Sequence, residues 1–107
     1  MNTEKTVLHV DDDPAILAIV KLALEKKGYR VISVSDPTTV IDILLKTGIR
    51  VAILDIEMPE MDGLTLLREI KQRNIGIKTI MLTGVVSMST VLSATSISTV
   101  MTKVYGI

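Results

Sequence analysis

The chain has 107 residues, of which 48% are hydrophobic, so it can form one packed domain and is too short for two. Its formal net charge of +0 gives no electrostatic argument for a nucleic-acid or membrane surface. It contains no cysteine, which excludes disulfides, thiolate metal sites and a cysteine nucleophile. No signal-like or membrane-spanning apolar run is present, so we expect a soluble cytoplasmic protein.

Apolar runs alternate with amphipathic segments along most of the chain. Asp13 and Pro14 are typical of a helix N-cap and first turn, and Gly28 is typical of a helix end. In the third helix we expect Leu64, Leu67 and Ile70 to face inward. In chain order, the predicted elements are a strand at 6–10, a helix at 14–27, a strand at 30–34, a helix at 38–46, a strand at 51–54, a helix at 63–73 and a strand at 77–82.

This alternation of strands and helices predicts a parallel sheet with right-handed crossovers. After Thr83 the pattern weakens, because residues 87–99 are rich in serine and threonine and carry no charge. A short fourth helix at 87–99 and a fifth strand at 100–102 are the best interpretation of that part.

Polar residues stand where three of the predicted strands end. Asp11, Asp12 and Asp13 follow the first strand, Asp55 follows the third, and Thr83 follows the fourth. A parallel sheet brings these strand ends to one edge, where ligands bind in open α/β sheets. Carboxylates that meet there repel one another unless a cation is present. Oxygen ligands without cysteine favour Mg²⁺.

A carboxylate held beside a divalent cation is also a candidate nucleophile toward phosphorus, since aspartyl phosphates are known covalent intermediates. Thr83 and Lys103 offer the hydroxyl and the ammonium that phosphoryl oxygens accept hydrogen bonds from. The residues therefore suit phosphoryl transfer onto Asp55.

Each of these residues also has a simpler structural interpretation. An acidic run before a proline often does no more than cap a helix. His9 lies on a predicted strand, where a packed histidine is more common than a ligand, and the methionines are typical core gap-fillers. Lys103 by itself is typical of a solvated surface group. The functional interpretation depends on these residues occurring together, each at a strand end.

These residues resemble the receiver domain of two-component response regulators over residues 5–105. The segment from Asp55 to Gly63 reads DIEMPEMDG and matches the family's D-x-x-M-P-x-M-D-G pattern, which is highly specific. Residues 10–14, 81–84 and 102–103 resemble the family's acidic pair and its fourth and fifth strand ends. The resemblance implies one receiver domain over 1–107 with a flavodoxin-like, doubly wound parallel sheet of order 2-1-3-4-5.

The resemblance also implies a role for each site residue. Asp55 would accept a phosphoryl group from a histidine kinase or a phosphotransfer protein. Asp12 and Asp55 would bind Mg²⁺ directly together with the backbone carbonyl of Glu57, while Asp11 would act mainly through metal-bound water. Thr83 and Lys103 would contact the phosphoryl oxygens. Such a domain is a phosphoacceptor rather than an enzyme, and it signals to a downstream protein partner.

The C-terminal part departs from the family pattern. Val104 stands where the family has proline after the lysine, and Val100 stands where it has its aromatic switch residue. The sequence ends before a fifth helix, which would leave apolar surface bare, and from this we expect self-association.

Two other functions fit parts of the sequence. A degenerate receiver would serve as an interaction or oligomerisation module without phosphorylation, as the altered C-terminal part suggests. A phosphatase of the haloacid dehalogenase type also uses an aspartate at a strand end, with Glu57 at the position of its acid/base. That alternative leaves the M-P-x-M-D-G segment unexplained.

Overall fold

The computed structural model describes residues 5–56, 58 and 61–82. Their elements alternate between strand and helix, as the sequence predicts. A single turn of 3-10 helix, Pro37–Thr39, precedes the second α-helix. In chain order the elements are β1 (Thr6–Val10), α1 (Pro14–Lys26), β2 (Arg30–Val34), α2 (Val40–Thr47), β3 (Val51–Asp55), α3 (Gly63–Gln72) and β4 (Lys78–Leu82).

The four strands form one parallel sheet in the order β2-β1-β3-β4. Leu8 of β1 pairs with Ile32 on one side and with Ala52 on the other, so β1 lies in the interior of the sheet. The predicted order 2-1-3-4 is confirmed for these strands. The predicted fourth helix at 87–99 and fifth strand at 100–102 lie outside the described residues.

Both faces of the sheet are covered, which explains why β1 and β3 read as continuous apolar runs. Val7, Val31 and Ile53 pack with Val20 and Leu24 of α1 on one face. On the opposite face, α2 and α3 contribute to a second apolar cluster with alternate residues of the same strands, among them Leu8, Val10, Ala52, Leu54, Leu44, Leu66 and Ile70.

Helix boundaries follow from side-chain caps and left-handed residues. The Asp13 carboxylate accepts a hydrogen bond from the Ala15 amide at 2.9 Å, which caps α1 as the sequence predicts. Gly48, at the end of α2, has φ 73°, a left-handed conformation that glycine adopts without steric cost. No helix in the described part of the chain has both the length and the hydropathy to cross a bilayer.

The predicted inward face of α3 is wrong at one position. Leu64 is 51% exposed, whereas Leu66 and Ile70 are buried and Leu67 is half-buried. Gly63 at the start of the helix lies directly against the end of β3. Residues three and seven positions after Gly63 then face the sheet, and Leu64 turns away from it.

Candidate functional site

Three carboxylates meet at the carboxyl edge of the sheet. Asp11 directly follows β1, Asp12 comes next, and Asp55 is the last residue of β3. Each offers one oxygen, and these oxygens all lie within 4.8 Å of one another. The convergence predicted for these three residues from the sequence is therefore present.

The backbone fixes Asp11 more firmly than its neighbours. Its amide donates to the Val34 carbonyl at 3.1 Å, which extends the β1–β2 ladder by one residue. Its Oδ1 accepts a hydrogen bond from the Asp13 amide at 2.9 Å. Asp11 is 2% exposed, Asp55 is half-buried and Asp12 is exposed. Solvent exposure therefore increases across the cluster from Asp11 to Asp12.

Burial raises the pKa of the Asp11 carboxyl, and the negative charges of Asp12 and Asp13 raise it further. The hydrogen bond from the Asp13 amide, and a hydrogen bond shared between the Asp11 and Asp55 carboxyls, oppose this rise without cancelling it. A buried carboxylate with like charges beside it is stabilised by a cation. Because the three ligand groups supply only oxygen, they fit a hard divalent ion such as Mg²⁺.

Gly63 places the start of α3 directly against the phosphoacceptor candidate. Its amide donates to the Ile56 carbonyl at 2.9 Å. A Cβ atom added at Gly63 would fall on the backbone carbonyl of Asp55, closer than any real contact. From the sequence, Gly63 is used only as part of the DIEMPEMDG segment, and this close approach is not predicted. The Asp-Gly pair after a Pro-containing loop is the only sequence signal for it.

His9 is also at the site, two residues before Asp11. Its side chain is fully buried, and its Nε2 lies 3.9 Å from Asp11 Oδ2. Burial lowers the pKa of the imidazole to about 4. The sequence-based interpretation of His9 as a packed histidine is confirmed by this burial. Its proximity to Asp11 was not anticipated, although two residues apart on a strand place two side chains on one face.

Two further aspartates at this edge serve the helices instead. The Asp62 carboxylate caps α3 by accepting a hydrogen bond from the Thr65 amide at 2.7 Å, and Asp36 accepts from the Thr38 amide at 2.9 Å. The Thr38 hydroxyl, which also donates to Asp36 at 2.6 Å, and the Thr38 amide lower the pKa of the Asp36 carboxyl, and the hydrogen bonds from Thr65 lower that of Asp62. The predicted contributions of Glu57, Thr83 and Lys103 fall outside the described residues.

Comparisons with known proteins agree on one family. The family model of the response regulator receiver domain matches residues 7–103. The transcriptional regulatory protein TrcR of Mycobacterium tuberculosis is 38% identical over 78 residues, which cover 73% of this chain and 30% of that protein. The chain spans about a third of the length of the first curated relatives it matches, so the likeness concerns one portion of each.

Solved structures extend the likeness to three dimensions. A CheY-like receiver domain protein from Methanospirillum hungatei JF-1 is 37% identical with a TM-score of 0.66, covering 71% of this chain and 62% of that one. The response regulator TrrA of Thermotoga maritima, in complex with Mg(2+)-BeF, is 28% identical with a TM-score of 0.70. That match covers 83% of this chain and 81% of TrrA.

Proposed function

The chain belongs to the response regulator receiver domain family, and on that premise we propose that Asp55 accepts a phosphoryl group from a phosphohistidine. The donor would be a histidine kinase or a phosphotransfer protein of a two-component system. The observation that carries this proposal is the position of Asp55 at the end of β3, within 4.8 Å of the ligand oxygens of Asp11 and Asp12. A cytoplasmic location remains a prediction that follows from such a donor.

We propose Mg²⁺ as the cation of this site. Asp12 and Asp55 would bind it directly, and buried Asp11 would act through a metal-bound water. The backbone carbonyl of Glu57 completes the proposed ligand set on the strength of the sequence pattern. Support comes from the all-oxygen donor set and from TrrA, whose structure is described as a complex with Mg(2+)-BeF. When bound, the cation neutralises charge on the transferring phosphoryl group.

In the proposed step, a carboxylate oxygen of Asp55 forms a bond to phosphorus while the P–N bond of the phosphohistidine breaks. The bonding electron pair leaves with the imidazole, which takes up a proton from solvent. Thr83 and Lys103 would donate hydrogen bonds to phosphoryl oxygens. The product is an aspartyl phosphate, whose phosphoryl group carries about −1.5 to −2 charges at neutral pH. A downstream protein partner would read this change.

A direct test is incubation of the protein with acetyl phosphate and Mg²⁺, followed by mass spectrometry of the intact chain. We expect a gain of one phosphoryl group, lost in Asp55→Asn. Asp36→Asn is the matched control, because Asp36 is exposed at the same edge and Asn also caps helices. Absence of any gain in the unchanged protein, and of any response to beryllofluoride, would favour the degenerate receiver.

The rate of phosphate release distinguishes a phosphoacceptor from a phosphatase. An aspartyl phosphate that forms once and decays gives at most slow release of phosphate. Continuous turnover of a phosphomonoester, lost in Asp55→Asn, would instead support chemistry of the haloacid dehalogenase type.

We also propose that the protein self-associates through the outer face of α1. Ile19 and Leu22 lie there one helical turn apart and are 54% and 61% exposed. Two large apolar side chains on one turn favour contact with a second copy. Sedimentation velocity should show a concentration-dependent increase in mass that Ile19→Ser abolishes and Leu45→Ser, on α2, leaves unchanged.

A further inference from the structure

His9 is the buried polar group that the phosphoacceptor chemistry leaves without a role. It lies in the middle of the sheet, paired in register with Ser33 of β2 and Ile53 of β3. Its side chain has no exposed surface, and neither ring nitrogen has a hydrogen-bond partner among the described residues. A buried donor without an acceptor destabilises a protein, so an apolar residue would suit this position better on packing grounds alone.

The ring is directed at the least solvated member of the acidic cluster. His9 and Asp11 stand two residues apart, which places both side chains on the α1 face of the sheet. Nε2 of His9 lies 3.9 Å from Oδ2 of Asp11, about 1 Å beyond an N–H···O hydrogen bond. An imidazole carries at least one N–H donor whether it is neutral or protonated, so the ring can donate a hydrogen bond to a carboxylate oxygen.

Asp11 has one oxygen already occupied. Its Oδ1 accepts the hydrogen bond from the Asp13 amide, and its Oδ2 is the oxygen that faces the imidazole. Carboxylates around a bound metal are held in orientation by hydrogen bonds from residues behind them, and loss of such a partner weakens metal binding about 10–100-fold. The His9 imidazole lies on the Oδ2 side of this carboxylate and can act as such a partner.

We propose that His9 is a positioning residue for the divalent-cation site, donating from Nε2 to Asp11 Oδ2 and so fixing the Asp11 carboxylate when the cation is bound. This inference rests on the proposed phosphoacceptor function, because it assumes a cation among Asp11, Asp12 and Asp55. It assigns His9 no contact with the cation or the phosphoryl group. His9 is absent from the group of side chains whose ligand atoms converge on one point.

The test compares His9→Leu, which keeps a similar volume without a donor, with His9→Gln, which keeps a donor near the position of Nε2. Isothermal titration of the full chain with MgCl₂ at pH 7.5 gives the affinity. We expect about tenfold weaker binding in His9→Leu and near-complete retention in His9→Gln. The melting temperature without Mg²⁺ should be unchanged or higher in His9→Leu, since an unsatisfied donor is removed.

Ile53→Val provides a matched control for disturbance of the neighbouring core. Ile53 is paired with His9 in the sheet, and this substitution removes one methyl group from its side chain on the same face. It should lower the melting temperature by about 5 °C with no change in Mg²⁺ affinity. If His9→Leu binds Mg²⁺ as tightly as the unchanged protein, the positioning role is wrong. A loss of stability in His9→Leu with intact affinity would likewise overturn it in favour of a packing role.

A second readout tests the bond itself. In ¹H–¹⁵N spectra of the imidazole, Mg²⁺ should shift the Nε2 resonance of His9 and slow exchange of its proton, and Asp11→Asn should remove both effects. A Nδ1–H tautomer would overturn the proposal. If the unchanged protein binds no Mg²⁺, the proposed function and this inference both fail. If it binds Mg²⁺ and only the His9 effects are missing, this inference fails alone.

Discussion

The two edges of the sheet carry opposite charge and use it differently. The carboxyl edge holds the acidic residues Asp11, Asp12, Asp13, Asp36, Asp55 and Asp62, while the amino edge has a basic residue at or next to the start of every described strand, namely Lys5, Arg30, Arg50 and Lys78. The four basic side chains are all exposed, whereas Asp11 is 2% exposed and Asp55 is half-buried. The formal net charge of +0 conceals this separation.

The comparison indicates that burial, rather than the number of charges, makes a cluster of charged residues a candidate ligand site. Exposed charges at the amino edge are solvated and screened, so each contributes little to stability. At the carboxyl edge, burial raises the pKa of Asp11 and makes a cation the natural partner of the cluster. The exposed acids beside it, Asp36 and Asp62, cap helices by accepting hydrogen bonds from the Thr38 and Thr65 amides.

The sharpest way to disturb the carboxyl edge is Gly63→Ala. The new methyl group would collide with the Asp55 backbone, and the resulting shift should cost about 3 kcal/mol of unfolding free energy. Gly76→Ala is the control, because no atom lies within 4 Å of its added Cβ, and its effect should stay within about 0.5 kcal/mol. Urea unfolding measures both. Equal effects of the two substitutions would show that α3 does not need its close approach to β3.

Lowering the pH should reduce the unfolding free energy of the protein through His9, which lies at the carboxyl edge. Its folded-state pKa of about 4 lies below the ordinary value of 6.5, so the unfolded chain binds more protons between these values and stability falls as pH falls. The loss from this group between pH 7 and 5 should be about 2 kcal/mol. Asp11, whose pKa is raised, has the opposite sign, since its ionisation costs stability as pH rises.

Comparison with His9→Gln isolates the histidine from Asp11. The unfolding free energy of that variant, followed by urea titration across the same range, should lack the His9 contribution and fall less. A variant that loses stability in parallel with the unchanged protein would contradict the burial of a neutral imidazole.

Removal of a helix cap distinguishes an aspartate that stabilises a helix end from the aspartates of the proposed cation site. Asp62→Ala deletes the acceptor for the Thr65 amide and should destabilise the protein by about 1 kcal/mol, with Asp62→Asn retaining most of the stability. Neither variant should change Mg²⁺ affinity by calorimetry, since the Asp62 carboxylate belongs to the helix end. A large loss of affinity in Asp62→Asn would show that the exposed acids also belong to the site.

The smallest effect on stability is expected for an exposed ion pair of α2, whose C-terminal end leads to the amino edge. Lys46, in the last turn of α2, pairs with Asp42 at 2.9 Å, but both side chains are mostly exposed. Lys46→Gln should cost about 0.3–0.5 kcal/mol at low salt and less at 1 M NaCl. Thermal melts at the two salt concentrations check this. A cost above that of Asp62→Ala would contradict the contrast between the two edges.

Much of the fold follows from local sequence patterns. The apolar runs, together with Asp13-Pro14 and Gly28, determine where β1, α1 and β2 lie. Hydrophobic periodicity, an N-cap residue and a left-handed glycine are local signals, because each depends only on residues close in the sequence. The rotation of α3 is different. Leu64 and Leu66 are equally apolar, and only the packing of α3 against the sheet, with Gly63 close to the end of β3, leaves Leu66 buried and Leu64 exposed.

The same division holds at the site. The sequence by itself determined that Asp11, Asp12 and Asp55 meet, because parallel strands end at one edge and each acid stands at a strand end. Only the tertiary structure decided that Asp11 is the buried member and that the His9 imidazole lies behind it. Burial depends on what α1 and the neighbouring strands place over a residue, and that information is spread over the whole chain rather than held in a motif.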